Sequence, residues 1–227
     1  MISKIKEFFE RKRYWYFLPK KIRFLIWNIK ILKKYKTKNG DYYLPFFAFK
    51  DGIRNRIINN EITDKLIFDK LKDLIKPDTI VLDLGANFGQ MSILWSKCKP
   101  GVEVHEVGLG NISTTLHFVD SEDNCGNAHI VNKKKKHSYE IEVRKLDDEH
   151  LQECNLIKID VQGYDLDALK GSKKTILNHK MPIIFEYEEK FEKEFNYTFR
   201  DFENFINEIN YKIETKIDEI NYLIVPK

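Results

Sequence analysis

The fold of this chain is decided by Thr79-Ile-Val-Leu-Asp-Leu-Gly-Ala-Asn-Phe-Gly89. An apolar run ends in an acid, and two glycines four residues apart follow it. Helically spaced apolar residues come next, at Met91, Ile93, Leu94 and Trp95. The pattern predicts a buried strand, a tight turn and a helix, with a ligand site above the carboxyl end of the strand.

The turn favours one class of cofactor. Gly85 can take a tight backbone conformation, and Gly89 lets a ligand approach the backbone closely. Asp83 suits a positively charged or hydroxyl-bearing part of that ligand. A dinucleotide site would need Gly-x-Gly-x-x-Gly, which is absent. The residues therefore favour a sulfonium cofactor over NAD.

A second segment, Leu156-Ile-Lys-Ile-Asp-Val-Gln-Gly-Tyr-Asp165, again runs from strand to acid to glycine. With Pro182-Ile-Ile-Phe-Glu-Tyr187 and Asn221-Tyr-Leu-Ile-Val-Pro-Lys227, it resembles the FkbM family of S-adenosylmethionine-dependent methyltransferases, over roughly residues 40 to 227. The resemblance implies an α/β, Rossmann-like class I methyltransferase sheet with helices on both faces and a closing antiparallel strand pair. We expect a methyltransferase domain over residues 41–227, preceded by a basic, aromatic and helical extension over residues 1–40.

The resemblance also implies roles for individual residues. Asp160 and Gly163 match the second signature of the family, in which the acid faces the reaction centre. Asp165 stands where the family usually has glutamate, although it could instead cap the following helix through a backbone N–H. The cofactor loop, which holds the methionine end of S-adenosylmethionine, corresponds to Asp83, Gly85, Asn87 and Gly89.

The middle of the chain departs from the family pattern. Relatives usually insert a strand, a helix and another strand before the segment that resembles residues 103–110, whereas here residues 97–101 connect directly to it. About one strand-helix unit is missing, and that unit normally carries the ribose-binding acid. By spacing alone Glu106 fills this place, but its surroundings resemble a later strand of the family, so both interpretations remain open.

The remaining periodicity predicts the other elements of an α/β fold. A short extended stretch is predicted near residues 41–49. Helices are predicted near 63–75, 88–97, 164–177 and 198–209. Strands are predicted near 79–84, 102–107, 114–119, 139–144, 155–160, 182–187, 211–217 and 221–226.

Methyl transfer to a sugar hydroxyl requires a base. Asp160, Glu186 and His129 are the candidates, and Glu186 is favoured because it follows an apolar strand at the edge of the sheet where ligands bind. A buried structural acid is the alternative for Glu186. Asp160 and Glu186 could instead share a divalent metal, but two carboxylates without a histidine or a third acid are thin evidence for a specific metal.

The charge of the chain is concentrated at one end. Residues 1–38 hold thirteen Lys or Arg and two Glu, a net charge of +11, so the remainder carries −7 of the total of +4. Aromatic residues interleave with these cations, which is typical of a helix at an anionic membrane surface, although they could also pack on the catalytic domain. We expect contact with anionic lipid through residues 1–34. Nucleic acid is disfavoured as a partner, since no nucleic-acid-binding motif accompanies the Lys133–Lys136 cluster.

The cysteines and the basic residues near the N-terminus indicate the cellular compartment of the protein. Cys98, Cys125 and Cys154 lie far apart without zinc or redox spacing, so reduced structural thiols are expected. Basic residues interrupt every early apolar stretch, which argues against a secretory signal. We therefore expect a cytoplasmic protein, with contact at a membrane surface as a second interpretation.

Two functions remain in competition. The first is an enzyme that transfers a methyl group from S-adenosylmethionine to a sugar, a glycan or another hydroxyl-bearing small molecule. The second is a degenerate relative in which loss of the ribose strand leaves a binding or membrane-surface scaffold protein. Neither the acceptor nor the oligomeric state follows from the motifs.

Overall fold

The structure, a computed structural model, describes residues 31–97, 104–119, 125–131, 133–135 and 138–227. The chain divides into two compact units. The first comprises residues up to Thr63 together with 121–126, and the second comprises 64–120 and 127–227. Residues 1–30 of the predicted helical extension lie outside the described residues, so the prediction is untested there, whereas it is wrong over residues 32–37, which form a strand.

The described part of the first unit is a hairpin followed by a helix. Strands β1 (Leu32–Thr37) and β2 (Gly40–Pro45) pair antiparallel, so the domain boundary predicted at residue 40 falls inside a hairpin of the first unit. Helix α1 (Gly52–Ile58) follows. Its N-cap is Asp51, whose Oδ1 accepts a hydrogen bond from the Arg54 backbone N–H at 2.6 Å.

The second unit is built on a five-stranded sheet in the order β10-β11-β9-β8-β3. Its strands are β3 (Val81–Leu84), β8 (Leu156–Ile159), β9 (Ile183–Glu186), β10 (Tyr211–Lys216) and β11 (Asn221–Pro226). Strands β3, β8 and β9 are parallel, and β11 and β10 close the sheet as an antiparallel pair. This order and the helical connections between the parallel strands make the fold Rossmann-like, which confirms the predicted class.

A smaller sheet has the order β4-β7-β5-β6. Its strands are β4 (Gly108–Leu109), β5 (Thr114–Val119), β6 (His129–Val131) and β7 (Tyr139–Arg144). The helices of the unit are α2 (Lys65–Leu71), α3 (Gln90–Ser96), α4 (Asp165–Lys170), α5 (Lys173–His179), α6 (Glu192–Phe195) and α7 (Phe199–Glu208). None of the helices in the described part of the chain has the length and hydrophobicity that a membrane span requires.

Strands β8 and β9 lie at the centre of the core, where every one of their residues is buried. Strands covered on both faces read as continuous apolar runs, and this is why Lys158 and Glu186 stand out in them. Phe185 stacks on Phe202 and Tyr222 at centroid distances of 5.0 and 5.4 Å. This packing holds the carboxyl ends of β8 and β9 in place beneath the site described below.

The predicted strand at 102–107 is wrong over its described part. Residues 104–107 belong to no strand, and pairing begins only at β4, where Gly108 pairs with Val143. Val104 is 79% exposed, so the apolar alternation that suggested a strand does not face a core. The predicted helix at 164–177 is also divided in two, because the chain turns at Gly171 and Ser172 between α4 and α5.

Candidate active site

The glycine loop leaves β3 through three residues with left-handed backbone conformation. Gly85, Asn87 and Gly89 have φ values of 86°, 51° and 71°. A Cβ on Gly85 would lie 1.8 Å from the carbonyl oxygen of Asp160, so this glycine is what allows the ends of β3 and β8 to meet. A Cβ on Gly89 would meet no atom within 4 Å, so the loop is open at the start of α3.

Asp83 presents one carboxylate oxygen without a hydrogen-bond donor. Its Oδ2 accepts a hydrogen bond from the Ser92 hydroxyl at 2.6 Å. Its Oδ1 is buried and has no hydrogen-bond partner, although the ammonium of Lys158 lies 4.0 Å away. A buried carboxylate oxygen normally has a donor, so this atom is placed to receive one from a bound ligand.

Lys158 joins the two strand ends electrostatically. Its Nζ lies 3.0 Å from Asp160 Oδ2, and the residue is only 2% exposed. Burial alone would lower the pKa of this ammonium, but Asp160, Asp83 and Asp64 outweigh burial and raise it. Lys158 is therefore a permanent buried cation between the loop carboxylate and the Asp160 carboxylate.

Asp160 and Glu186 are bridged by a side-chain amide. Gln162 Nε2 donates to Asp160 Oδ1 at 3.0 Å and to Glu186 Oε2 at 2.8 Å. Burial, then the charges of Asp160 and Asp165, raise the pKa of Glu186 well above its usual range. Burial opposes ionisation of Asp160 as well, but the attraction of Lys158 and the Gln162 hydrogen bond hold the pKa of Asp160 below its usual value. The surroundings thus act on the two acids in opposite directions: Lys158 favours the ionised form of Asp160, and burial favours the protonated form of Glu186.

Asp165 is a structural acid beneath this pair. It is completely buried, and its two oxygens accept the backbone N–H groups of Gly163 at 3.2 Å and Glu186 at 3.3 Å. Burial, then the charge of Asp160, raises the pKa of Asp165 to about 7. It ties the turn after β8 to the end of β9 and does not cap α4, because neither N–H group that it accepts belongs to that helix.

The structure brings together Asp83, Gly85, Asp160 and Glu186, but not Glu106 or His129. Glu106 is exposed, and it makes no hydrogen bond or ion pair within the described residues. The His129 ring instead contacts the Asn127 carbonyl at 2.7 Å and packs on Phe191. Among the described residues, no group of three or more potential metal ligands is positioned to hold an ion.

Sequence reasoning assigned no role to Lys158, Gln162 or Asp64. The signal for Lys158 was present, since it is a charged residue within a short buried strand. Gln162 has a φ of 51°, a left-handed backbone conformation that the sequence did not predict. Asp64 lies 94 positions before Lys158 in the chain, and only the fold brings the two charges close enough to interact. Burial raises the pKa of Asp64, and the charge of Lys158 opposes that rise.

A sequence model of the methyltransferase FkbM domain matches residues 77–213, which is more than half of the chain. The chain belongs to the FkbM methyltransferase family. The match contains every residue of the site except Asp64. No match to a functionally curated protein was found.

A solved relative of this FkbM methyltransferase domain is the crystal structure of methyltransferase FkbM from Methylobacillus flagellatus KT. The two are 17% identical in sequence, and the TM-score is 0.36. The aligned part covers 74% of this chain and 37% of the relative, so the chain spans little more than a third of that structure.

Proposed function

We propose that this protein is an S-adenosylmethionine-dependent methyltransferase that acts on a hydroxyl group of a sugar, a glycan or another small molecule. One observation carries the proposal. The buried Oδ1 of Asp83 has no hydrogen-bond donor, and it lies beside a loop whose Gly89 faces open space. A carboxylate in this position suits the α-ammonium group of a methionine moiety.

The described residues fit the methionine half of the cofactor better than its adenosine half. Asp83, Gly85, Asn87 and Gly89 would hold the methionine half, and the bound cofactor would supply the activated methyl group. The adenosine half would need a further strand next to β3, but β3 is the edge strand of the sheet as far as the structure describes it. A ribose-binding acid on a neighbouring strand therefore has no counterpart among the described residues.

The charge states of the two acids favour Asp160 over Glu186 as the base. A base must be ionised before it accepts a proton, and Lys158 keeps Asp160 ionised whereas Glu186 holds a proton. A quarter of the Asp160 side chain is exposed, so an acceptor hydroxyl can reach it. In this proposal Asp160 takes the hydroxyl proton, and Glu186 and Gln162 position the Asp160 carboxylate. The sequence had favoured Glu186 for this step.

The proposal is tested by calorimetric titration of the full chain with S-adenosylhomocysteine. Asp83→Asn removes the charge that would bind the ligand ammonium, so we expect affinity to fall about ten-fold or more. Asp73→Asn is the matched control because Asp73 is exposed and lies outside the site. Unchanged affinity in a folded Asp83→Asn variant would remove Asp83 from the cofactor site.

A second candidate function, a binding protein without methyltransferase activity, is favoured by the position of β3 at the end of the described sheet. The same titration separates the two. Measurable binding that is unaffected by Glu106→Ala supports the enzyme with a ribose contact other than Glu106. Binding weakened by Glu106→Ala would assign the ribose to Glu106, and no binding to the wild type at millimolar ligand would favour the scaffold.

A further inference from the structure

A cleft within the first unit has no role in the proposed reaction. Its volume is about 280 Å³, and the residues that line it include Lys33, Tyr35, Phe46, Phe49 and Arg54. All of its lining residues lie between positions 33 and 59, on the β1-β2 hairpin, α1 and their connection. The cleft therefore belongs to the first unit alone.

Arg54 places a buried positive charge in the wall of this cleft. The residue is 5% exposed, and its guanidinium donates only to uncharged acceptors. Nε donates to the Pro45 carbonyl at 2.7 Å, and Nη2 donates to the Tyr35 hydroxyl at 2.7 Å and the Phe46 carbonyl at 3.3 Å. Nη1 donates to Asn55 Oδ1 at 3.0 Å, which leaves its second N–H without a partner among the described residues.

The acid on the same helix does not neutralise this charge by an ion pair. Asp51 is completely buried, but its two oxygens accept the backbone N–H groups of Arg54 and Cys125. Within the described residues, Arg54 forms no salt bridge with any carboxylate. Buried charges in proteins are usually paired, so a guanidinium held only by neutral groups is suited to an anionic ligand.

A second cation and three aromatic rings complete the lining. Lys33 Nζ lies 5.1 Å from the centroid of the Tyr35 ring and 5.5 Å from that of Phe46. The Arg54 guanidinium lies 5.3 Å from the Tyr35 ring and 5.6 Å from the Phe49 ring. The rings fix the direction of both cations and give the cleft apolar walls.

We propose that this cleft binds a phosphate group carried on an organic body. A phosphate monoester has a charge of about −1.5 to −2 at neutral pH, which matches the two cations better than a carboxylate does. The remaining Nη1–H of Arg54 can donate a charge-assisted hydrogen bond to one phosphate oxygen, and the aromatic walls suit the organic part of the ligand. The phosphate could come from a soluble ester or from a lipid headgroup. This inference does not depend on the methyltransferase proposal.

The experiment titrates the full chain with phenyl phosphate, using benzoate as the comparison ligand. We expect saturable binding of phenyl phosphate with a dissociation constant of about 1 mM or tighter, and weaker binding of benzoate. Lys33→Gln removes one cation and should weaken phenyl phosphate binding about ten-fold. Lys36→Gln is the matched control, because Lys36 has the same charge but is exposed on the opposite face of β1.

A second variant separates a loss of phenyl phosphate binding from a loss of the fold. Asn59 is an exposed residue of the lining, and Asn59→Glu places a negative charge there without touching the core. Loss of phenyl phosphate binding in Lys33→Gln and Asn59→Glu, with retention in Lys36→Gln and an unchanged melting temperature in all three variants, is the expected pattern. No binding to the folded wild type, equal affinity in all variants, or equally tight benzoate binding would overturn the proposal.

Vesicles distinguish the two sources of phosphate. Phosphatidylcholine vesicles that contain phosphatidic acid are compared with vesicles of equal charge that contain phosphatidylserine. Stronger sedimentation with phosphatidic acid, lost in Asn59→Glu and competed by phenyl phosphate, assigns the cleft to a lipid headgroup. Phenyl phosphate binding without this preference assigns it to a soluble ester, and both results support the phosphate site.

Discussion

The substitution Lys158→Met tests whether the buried ammonium between the two strand ends organises the site. Methionine has a similar length and keeps the apolar contacts of the strand, but it removes the charge 3.0 Å from Asp160 and 4.0 Å from Asp83. Removing one partner of a buried ion pair costs about 3–5 kcal/mol, because the remaining charge loses its compensation. We expect the free energy of unfolding at neutral pH to fall by that amount.

The matched control is Lys173→Met, since Lys173 forms an ion pair with Glu208 at the surface. Exposed pairs contribute about 0–1 kcal/mol, so this variant should unfold almost like the wild type. Urea denaturation followed by far-ultraviolet circular dichroism measures both.

The pH dependence provides a second check on Lys158→Met. The lowered pKa of Asp160 contributes stability that is present above the ordinary aspartate pKa of 3.8 and is lost as the pH falls through the folded value. Without Lys158 this contribution disappears, so the destabilisation should be smaller below pH 3.8, where the wild type loses the contribution too, than at pH 7. Equal losses in Lys158→Met and Lys173→Met at pH 7 would refute the central role of the ammonium.

Three further perturbations test other parts of the structure. Gly85→Ala should abolish S-adenosylhomocysteine binding, because its Cβ would lie 1.8 Å from a backbone oxygen. The Cβ of Gly89→Ala meets free space, so this variant should lose only about 1 kcal/mol of stability to backbone strain. Equal decreases in melting temperature for the two variants would contradict this reasoning. The pKa of Asp165 is raised to about 7 by burial, so wild-type stability should fall as the pH rises from the ordinary value of 3.8 to about 7. Asp165→Asn should flatten melting temperature against pH over this window, and an unchanged slope would count against a titrating Asp165. Deleting residues 1–30, which leaves β1 whole, should reduce salt-sensitive sedimentation with anionic vesicles, and equal sedimentation of both chains would leave the packing role for the aromatic residues.

Whether a helix or strand was predicted correctly depends on whether neighbouring residues in the sequence are enough to specify it. Strands β5, β7 and β11 begin and end at the predicted residues, because an alternating run such as β7 and a short apolar run such as β11 are both local strand signals. The hairpin strand β1 was not predicted. Its sequence, Leu-Lys-Lys-Tyr-Lys-Thr, reads as part of a basic segment, and only pairing with β2 makes it a strand. The break between α4 and α5 likewise lies within one continuous apolar pattern.

For the site, the sequence by itself determined which acids stand at strand ends and that a glycine turn follows the first. It could do so because strand, acid and glycine are neighbours in the chain, and parallel strands bring their carboxyl ends to one edge of a sheet. Only the tertiary structure decided that Lys158 lies between Asp83 and Asp160, that Gln162 bridges Asp160 to Glu186, and that the surroundings shift the pKa values of these two acids in opposite directions. Those properties depend on burial and on distances between side chains of different strands. The separation of two residues along the chain does not determine whether their charges lie 3 to 4 Å apart, where Coulomb energies are large.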